Sequence, residues 1–361
     1  MMCAAGRVNT NISAIVPVAM DDVMDLDALV DAITSYPGVT RKHPIGEVVA
    51  YLPVVVPGSA EPDGPQGRVL ADFGEDSAVV ALDDDPDGEV LLVATDGIMA
   101  TLLEANPYWA GYVSVLVNAM DIASTGGVPF CMVDVISLRT GELGTRLMEG
   151  IRDGVNKFRV PMLGGHTHPD SDCSAIDVAV VGRARRSEVI YSHTARVGDS
   201  IVVGIDTVGE FHPDFRYSFD TSTRQTPEEV ARRMFAARRL SQRGLLTGGK
   251  DISNPGTLGT LGMLLETSGK GAMVDPTKVP QPSGVDPVHW LLCYQGCGFV
   301  LACPPEHENA VLEGLVSSGL SSAAIGTVTE GSCLKLGVAD EERTLFDFSR
   351  KPLTGCGPPE R

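Results

Sequence analysis

Four places in the chain combine acid residues with glycine. In DFGEDSAVV, Glu75 and Asp76 follow Gly74 and precede an apolar alternation; a plain charged turn has the same appearance. In LVATDGIM, Thr95 and Asp96 stand at the C-terminal end of an apolar strand pattern. Such strand ends carry polar site residues in α+β and α/β scaffolds, although a single aspartate there equally caps the next segment. The third place, YWAGYVSVLVNAMDIASTGG, puts Ser114, Asn118 and Asp121 at i, i+4 and i+7 on one face of an apolar helix. Asn and Asp are poor helix-interior residues, so a shared stripe costs stability unless it has a task or meets water. The fourth, PMLGGHTHPD, has Gly164 and Gly165 ahead of His166, Thr167 and His168. A glycine pair lets backbone approach a phosphate, and Thr167 can donate to it. The His-x-His spacing invites zinc, but no third ligand, HExxH or deaminase pattern accompanies it. Phosphate contact is favoured over metal, with a structural turn as the rival.

A further stretch, LTGGKDISNPGTLGTLGMLLETSGKGAMV, has recurrent glycine and a lysine–aspartate pair near its front. Asp251 follows a Gly–Gly turn, and Asn254–Pro255–Gly256 punctuates a second one before a helix-like run. A glycine-rich loop leading into a helix N-terminus is a ready anion site. The Walker pattern GxxxxGK[ST] is absent, so spacing alone leaves a phosphate cradle and a flexible lead-in both open.

Around these residues the composition sets bounds. A length of 361 residues predicts about two domains, and 43% hydrophobic residues suffice for real cores. No apolar run approaches the length of a membrane span, and the first twenty residues lack the basic-then-apolar pattern of a secretory signal. The expectation is a soluble, cytoplasmic protein without a membrane partner. Its eight cysteines form no CxxC pair, which disfavours both a disulfide framework and a zinc site. A net charge of −19 repels nucleic acid phosphates and argues against DNA or RNA partners. It does not forbid a nucleotide, because a divalent ion can bridge carboxylates to phosphates.

The elements that must position these residues follow from periodicity. DLDALVDAITSYPG predicts a short helix; SAVVALD and EVLLVAT predict strands joined by an acidic turn. A long helix fits Tyr108 to Thr125, then FCMVDVIS is a strand, GELGTRLMEGIRDGVNKF an amphipathic helix and SAIDVAVVGRA a strand. After a polar boundary near Arg186, SIVVGID opens a second unit, with TPEEVARRMFAARRLSQRGL as one long charged helix and a closing strand, helix, strand. This gives an extension over 1–24 and two α+β domains over 25–186 and 187–361.

In order, these segments resemble the superfamily of aminoimidazole ribonucleotide synthetase, selenophosphate synthetase, thiamine-monophosphate kinase and the hydrogenase maturation factor HypE. GEDSAVV resembles its GDDAA segment, TDGI its TDG strand end, and VNAMDIASTGG its VNxxDIAAMGG helix, the most specific match. LGGHTH resembles the GGHT segment of selenophosphate synthetase, and KDISNPGTLGTLGMLLE the start of the second-domain helix. The likeness covers roughly residues 25 to 350. Within it, VTRKHPI, NPYWAGY and DISNPGTLGTLGMLLE are most similar to methanogenesis marker proteins.

The resemblance implies a two-domain PurM-like α+β fold. Its N-terminal domains pair into a dimeric β-barrel, and its C-terminal domain is an α/β sandwich. It implies a homodimer that uses ATP and Mg2+ on a small-molecule substrate. By position, Asp76, Asp96 and Asp121 would hold magnesium, with Glu75 in place of the pattern's first aspartate. Asn118, Thr95, Gly164, Gly165 and Thr167 would lie along the nucleotide, and Asp251 would do metal or proton work. Lys42, with Arg41, would reach the γ-phosphate. Cys3 lacks the setting of the selenophosphate synthetase cysteine, and Cys356 lies upstream of the end rather than at it as in HypE. His212, Arg216 and Asp220 are candidates for an acceptor pocket. The expected reaction is phosphoryl transfer from ATP to an oxygen, of kinase or ligase type with ADP as product. The alternative is a non-catalytic nucleotide-binding or assembly protein that keeps the fold.

Overall fold

The computed structural model describes residues 24–52, 68–138 and 141–359. The expected N-terminal extension, Cys3 included, lies outside them apart from Met24, and so does the loop 57–67. Three short helices come first: α1 (Leu26–Ser35), α2 (Pro37–Thr40) and α3 (Ile45–Val49). Asp25 caps α1 by accepting from the backbone N–H groups of Asp27 and Ala28.

The first sheet contains β1 (Arg68–Ala71), β2 (Ala78–Ala81), β3 (Glu89–Gly97), β4 (Val128–Ser137), β5 (Met162–His168) and β6 (Ala175–Arg185). Its order is β1-β2-β3-β6-β4-β5, antiparallel except for the parallel pair β4–β5. Helices α4 (Ala100–Ala105), α5 (Pro107–Ser124) and α6 (Gly141–Phe158) connect it. The period-2 pattern of β3 turns Val90, Leu92 and Ala94 into the core that α5 fills. The opposite face keeps apolar residues too, with Val93, Phe130, Val133, Val135 and Leu163 exposed. Helix α5 begins cleanly, with Pro107 in its first turn and the Asn106 side chain accepting from Trp109 N–H. It packs so tightly on α6 that a Cβ at Gly150 would meet the Tyr108 carbonyl oxygen at 1.9 Å.

The second unit runs β7 (Ser200–Ile205), β8 (Glu210–His212), β9 (Phe215–Asp220), α7 (Pro227–Met234), α8 (Ala236–Ser241), β10 (Gly248–Asp251), α9 (Gly256–Ser268), β11 (Gly271–Val274), α10 (Pro287–Leu292), β12 (Tyr294–Gln295), β13 (Gly298–Cys303), α11 (Glu308–Ser317), β14 (Ser321–Thr329), β15 (Cys333–Val338) and β16 (Glu341–Asp347). Seven strands form a sheet in the order β10-β13-β7-β14-β11-β15-β16, and β12-β9-β8 form a small one. Every residue of β7 is buried because both faces are covered. Ile201, Val203 and Ile205 join the core that holds α9, while Val202 joins the one that holds α11.

Several expectations are corrected by tertiary packing. The long charged helix is two helices, α7 and α8, broken at Phe235. Gly248–Asp251 is a strand rather than a turn, and β5 continues past Gly165 to His168. Within one chain the first sheet is open among the described residues, with β1 and β5 at its edges, whereas the expected barrel is one that two chains would form together. The sequence places 25–52 in the 25–186 unit, yet Leu26, Leu29 and Ile33 of α1, Tyr36 after it and Val39 of α2 pack into the second unit's core. Arg343 of β16 fixes α1 by a two-pronged ion pair with Asp27, at 2.6 and 3.0 Å.

Candidate active site

Elements from both units and the N-terminal helices enclose a cavity of about 350 Å3. Helix α5 supplies one wall with Trp109, Val113, Leu116, Val117, Met120 and Asp121. These lie on one stripe at helical spacing, apolar until its C-terminal end. The end of β3 contributes Thr95 and Asp96, the turn before β2 contributes Gly74, Glu75 and Asp76, and β10 contributes Lys250 and Asp251. The segment after α2 brings in Lys42. Ser253 and Asn254, just ahead of α9, complete the polar side.

Asp76 and Lys250 are the hub, and both side chains are almost fully buried. Their ion pair joins the two units. The Lys250 ammonium also donates to the Gly74 carbonyl oxygen at 3.1 Å and to Ser192 Oγ at 3.2 Å, which uses its three protons. The second Asp76 oxygen accepts from Ser124 Oγ at 2.7 Å and from the Asp251 backbone N–H at 3.2 Å. Burial works against the charge of Lys250, but Asp76, Glu75 and Asp251 outweigh it and hold the ammonium above the ordinary lysine value.

Among the described residues, Asp96, Asp121 and Asp251 have no such ion pair. Burial and then repulsion from Asp96, Asp251 and Asp76 push Asp121 well above the ordinary aspartate value. Asp251 is raised in the same way, by burial first and by Asp76 next, with Lys250 opposing. Asp96 opens onto the cavity solvent but is walled by protein; burial raises it, Lys42 lowers it and Asp76 raises it. Five carboxylates therefore face two ammonium groups on the cavity wall. Among the described residues, no group of three or more His, Cys, Asp or Glu side chains is placed to hold a metal ion by itself. The carboxylate end is an open group whose charge excess suits a cation that keeps waters and takes phosphate oxygens.

Lys42, Thr95, Asp76, Asp96, Asp121 and Asp251 all line this one cavity. Thr95 has its hydroxyl committed to the Val178 carbonyl oxygen at 3.0 Å. Glu75 also reaches this wall, but its carboxylate is held by Ser192 N–H and His193 Nδ1, each at 2.6 Å. It serves as an interdomain tie. Asn118 is fully buried: its Oδ1 accepts from Asp96 N–H at 3.1 Å and its amide donates to the Ser114 carbonyl oxygen at 2.8 Å. It therefore locks the end of β3 to α5 and sets the position of Asp96. Gly164, Gly165 and Thr167 lie apart from the cavity, exposed on edge strand β5 with His166 and His168. His212 stacks on Trp109 behind the wall, Arg216 lies over Tyr217, and Asp220 accepts from the N–H groups of Ser222 and Thr223. None of these three lines the cavity.

Lys250, Ser192 and His193 were not singled out as site residues from sequence. Lys250 carried a signal, as a cation set directly between a glycine pair and Asp251. Ser192 and His193 carried none, because their role depends on the two units meeting. The glycines of α9 serve packing: the whole helix is buried, and a Cβ at Gly256 would strike the Leu291 carbonyl oxygen at 2.2 Å.

Residues 74–184 match the AIR synthase related protein N-terminal domain, and residues 198–339 match the corresponding C-terminal domain. An uncharacterized protein of Methanocaldococcus jannaschii is 37% identical over 92% of this chain and 100% of its own length. In fold, the chain is similar to PurL of T. maritima complexed with ATP, with a TM-score of 0.64 and 19% identity over 81% of this chain. It spans 48% of that PurL chain. It is also similar to AaThiL complexed with AMPPCP and TMP, with a TM-score of 0.57 and 20% identity over 76% of this chain and 92% of that one. With both domain matches in chain order and a full-length relative above 30% identity, the chain belongs to the AIR synthase related protein family.

Proposed function

We propose that the chain catalyses ATP- and Mg2+-dependent phosphoryl transfer to an oxygen of a small substrate, releasing ADP. One observation carries this reading: four aspartates from four separate places in the chain converge on one cavity that holds a single buried cation. Such a charge excess is costly in a fold unless a bound cation relieves it. Asp96 and Asp121 would hold magnesium together with phosphate oxygens, since Asp76 is committed to Lys250. Bound there, the ion would neutralise charge on the transferring phosphoryl group. The complexes of similar folds with ATP and AMPPCP support a nucleotide ligand.

The chain's own groups account for the remaining work. Lys42, half-buried on the cavity wall near Asp96, would offer its ammonium to the γ-phosphate. Asp251, with its raised pKa, is suited to take the proton of the acceptor hydroxyl. As that proton leaves, the acceptor oxygen bonds to the γ-phosphorus and the bond to the β,γ-bridging oxygen breaks, giving ADP. Asn118 and Ser124 hold the carboxylates in place. The exposed apolar face of the first sheet supports pairing with a second copy, which would bring β5 and its Gly164, Gly165 and Thr167 to a shared interface.

The test is calorimetric titration with AMPPCP, with and without Mg2+, on the wild type and Asp121→Asn. Magnesium-dependent binding that is lost in the variant is expected. A well-folded wild type that binds no nucleotide would sink this reading. Binding without ADP formation on any acceptor would favour the non-catalytic alternative, which the diversion of Glu75 to His193 also favours.

A further inference from the structure

The cavity has two chemically different ends, set by α5. Asp121 lies near the helix C-terminus and Trp109 near its N-terminus, twelve residues away, or about 18 Å of helix. Glu75, Asp76, Asp96, Asp121 and Asp251 belong to the first end, and so do both cavity ammonium groups, Lys42 and Lys250. The other end is walled by Met99, Trp109, Val113, Leu116, Val117 and Phe219. The small sheet closes it, where Tyr294 of β12 pairs with Ser218 of β9.

The polar side-chain groups at that end, on Trp109, Ser218 and Tyr294, are all uncharged. The indole N–H of Trp109 donates to Ser218 Oγ at 3.2 Å, which leaves only apolar ring surface toward the cavity. The indole is fixed between Tyr112 and His212, at centroid distances of 5.4 and 4.8 Å. No Lys, Arg or His among the described residues lines this end, and no carboxylate does. An anionic tail here would be desolvated without a partner, and a cationic tail would fare no better.

We infer that the acceptor has a neutral, apolar body, aromatic or branched aliphatic, that carries one hydroxyl or carboxyl oxygen toward the aspartates and no phosphate of its own. The inference takes from the phosphoryl-transfer reading only which end of the molecule reacts; the chemistry of the body is set by the wall. Met99, flexible and polarizable, lets this wall adapt to one shape among several of that class.

The test titrates the full chain with 2-phenylethanol and, separately, with ribose 5-phosphate, each with and without Mg2+ and AMPPCP. The alcohol is expected to saturate at least tenfold more tightly than the sugar phosphate and to quench Trp109 emission. Val117→Lys, which places an ammonium on the apolar stripe, is expected to weaken the alcohol at least tenfold more than it weakens the nucleotide analogue. Tighter binding of ribose 5-phosphate, or no saturable binding of the alcohol, overturns the inference. An equal loss of alcohol and nucleotide in Val117→Lys also overturns it, because the apolar end would then hold the adenine. Alcohol binding without any nucleotide binding would instead sink the phosphoryl-transfer reading and leave the apolar-ligand assignment standing.

Discussion

Strands β5 and β10 make a natural pair for comparison. Each lies at the edge of its sheet, and each carries a Gly–Gly pair followed by residues able to do chemistry. In β5 the pair is exposed, and a Cβ at Gly164 would meet nothing within 4 Å. In β10 all four residues are buried. The linker between the two units covers that edge: Gly249 N–H donates to the Tyr191 carbonyl oxygen at 3.2 Å, and Thr194 bonds to the Thr247 carbonyl. A covered edge strand becomes part of a core, whereas a bare one keeps its hydrogen-bonding groups free for another chain or a ligand. A Gly–Gly pair thus lies in a buried platform carrying Lys250 and Asp251 in one place and on an open surface in the other.

The largest test of this contrast is Lys250→Met. It leaves Asp76 buried without its cation, and breaking a buried pair in this way costs about 3–5 kcal/mol. Denaturant unfolding should show a loss of that size, together with loss of nucleotide turnover. A change below about 1 kcal/mol would mean that β10 is not the platform described. Next in size is Gly249→Ala. Its Cβ would lie 2.7 Å from Leu301 and 3.1 Å from Ile190, a degree of overpacking that costs about 1–3 kcal/mol.

Asp121→Asn has the opposite sign. The raised values of Asp96, Asp121 and Asp251 mean that the folded chain retains protons the unfolded chain has released. Their contribution to stability is therefore most favourable below the ordinary aspartate value near 3.8 and declines as pH rises through the raised folded values. Above that window the repulsion is fully developed. In metal-free buffer at pH 8, Asp121→Asn should melt a few degrees higher than wild type, and the gap should close near pH 4. Added Mg2+ should raise the wild-type Tm and not that of the variant. A variant that melts lower in metal-free buffer at pH 8 would show that Asp121 is not strained by its neighbours.

Much of this site was legible in sequence wherever a residue's role was set by its own element. Asp121 stood out because an aspartate on an apolar helix is expensive, and Asp96 because it ended an apolar strand. Roles set by contacts across the two units were not legible. Nothing local distinguishes Glu75 as a ligand from Glu75 as the partner of Ser192 and His193. Strand β10 was read as a turn because glycine pairs usually punctuate; its burial depends on Tyr191 and Leu301, distant in sequence. Helix α1 carries an amphipathic pattern, but the pattern does not say which core receives it.

The smallest effect is expected at Gly164→Ala, and it separates two roles of β5. The neighbouring Gly165 cannot serve, because its Cβ would overlap the Asp134 carbonyl oxygen at 2.4 Å and disturb the β4–β5 pairing itself. At Gly164 the added methyl enters open space, so stability should change by no more than about 0.5 kcal/mol. Nucleotide affinity then becomes a clean readout. If β5 lies along the phosphates at an interface between two copies, the methyl holds the backbone away from them, and AMPPCP binding should weaken several-fold while Tm stays fixed. If affinity and Tm are both unchanged, Gly164 is an ordinary edge residue, and the nucleotide is held by the carboxylate end and Lys42 without help from β5.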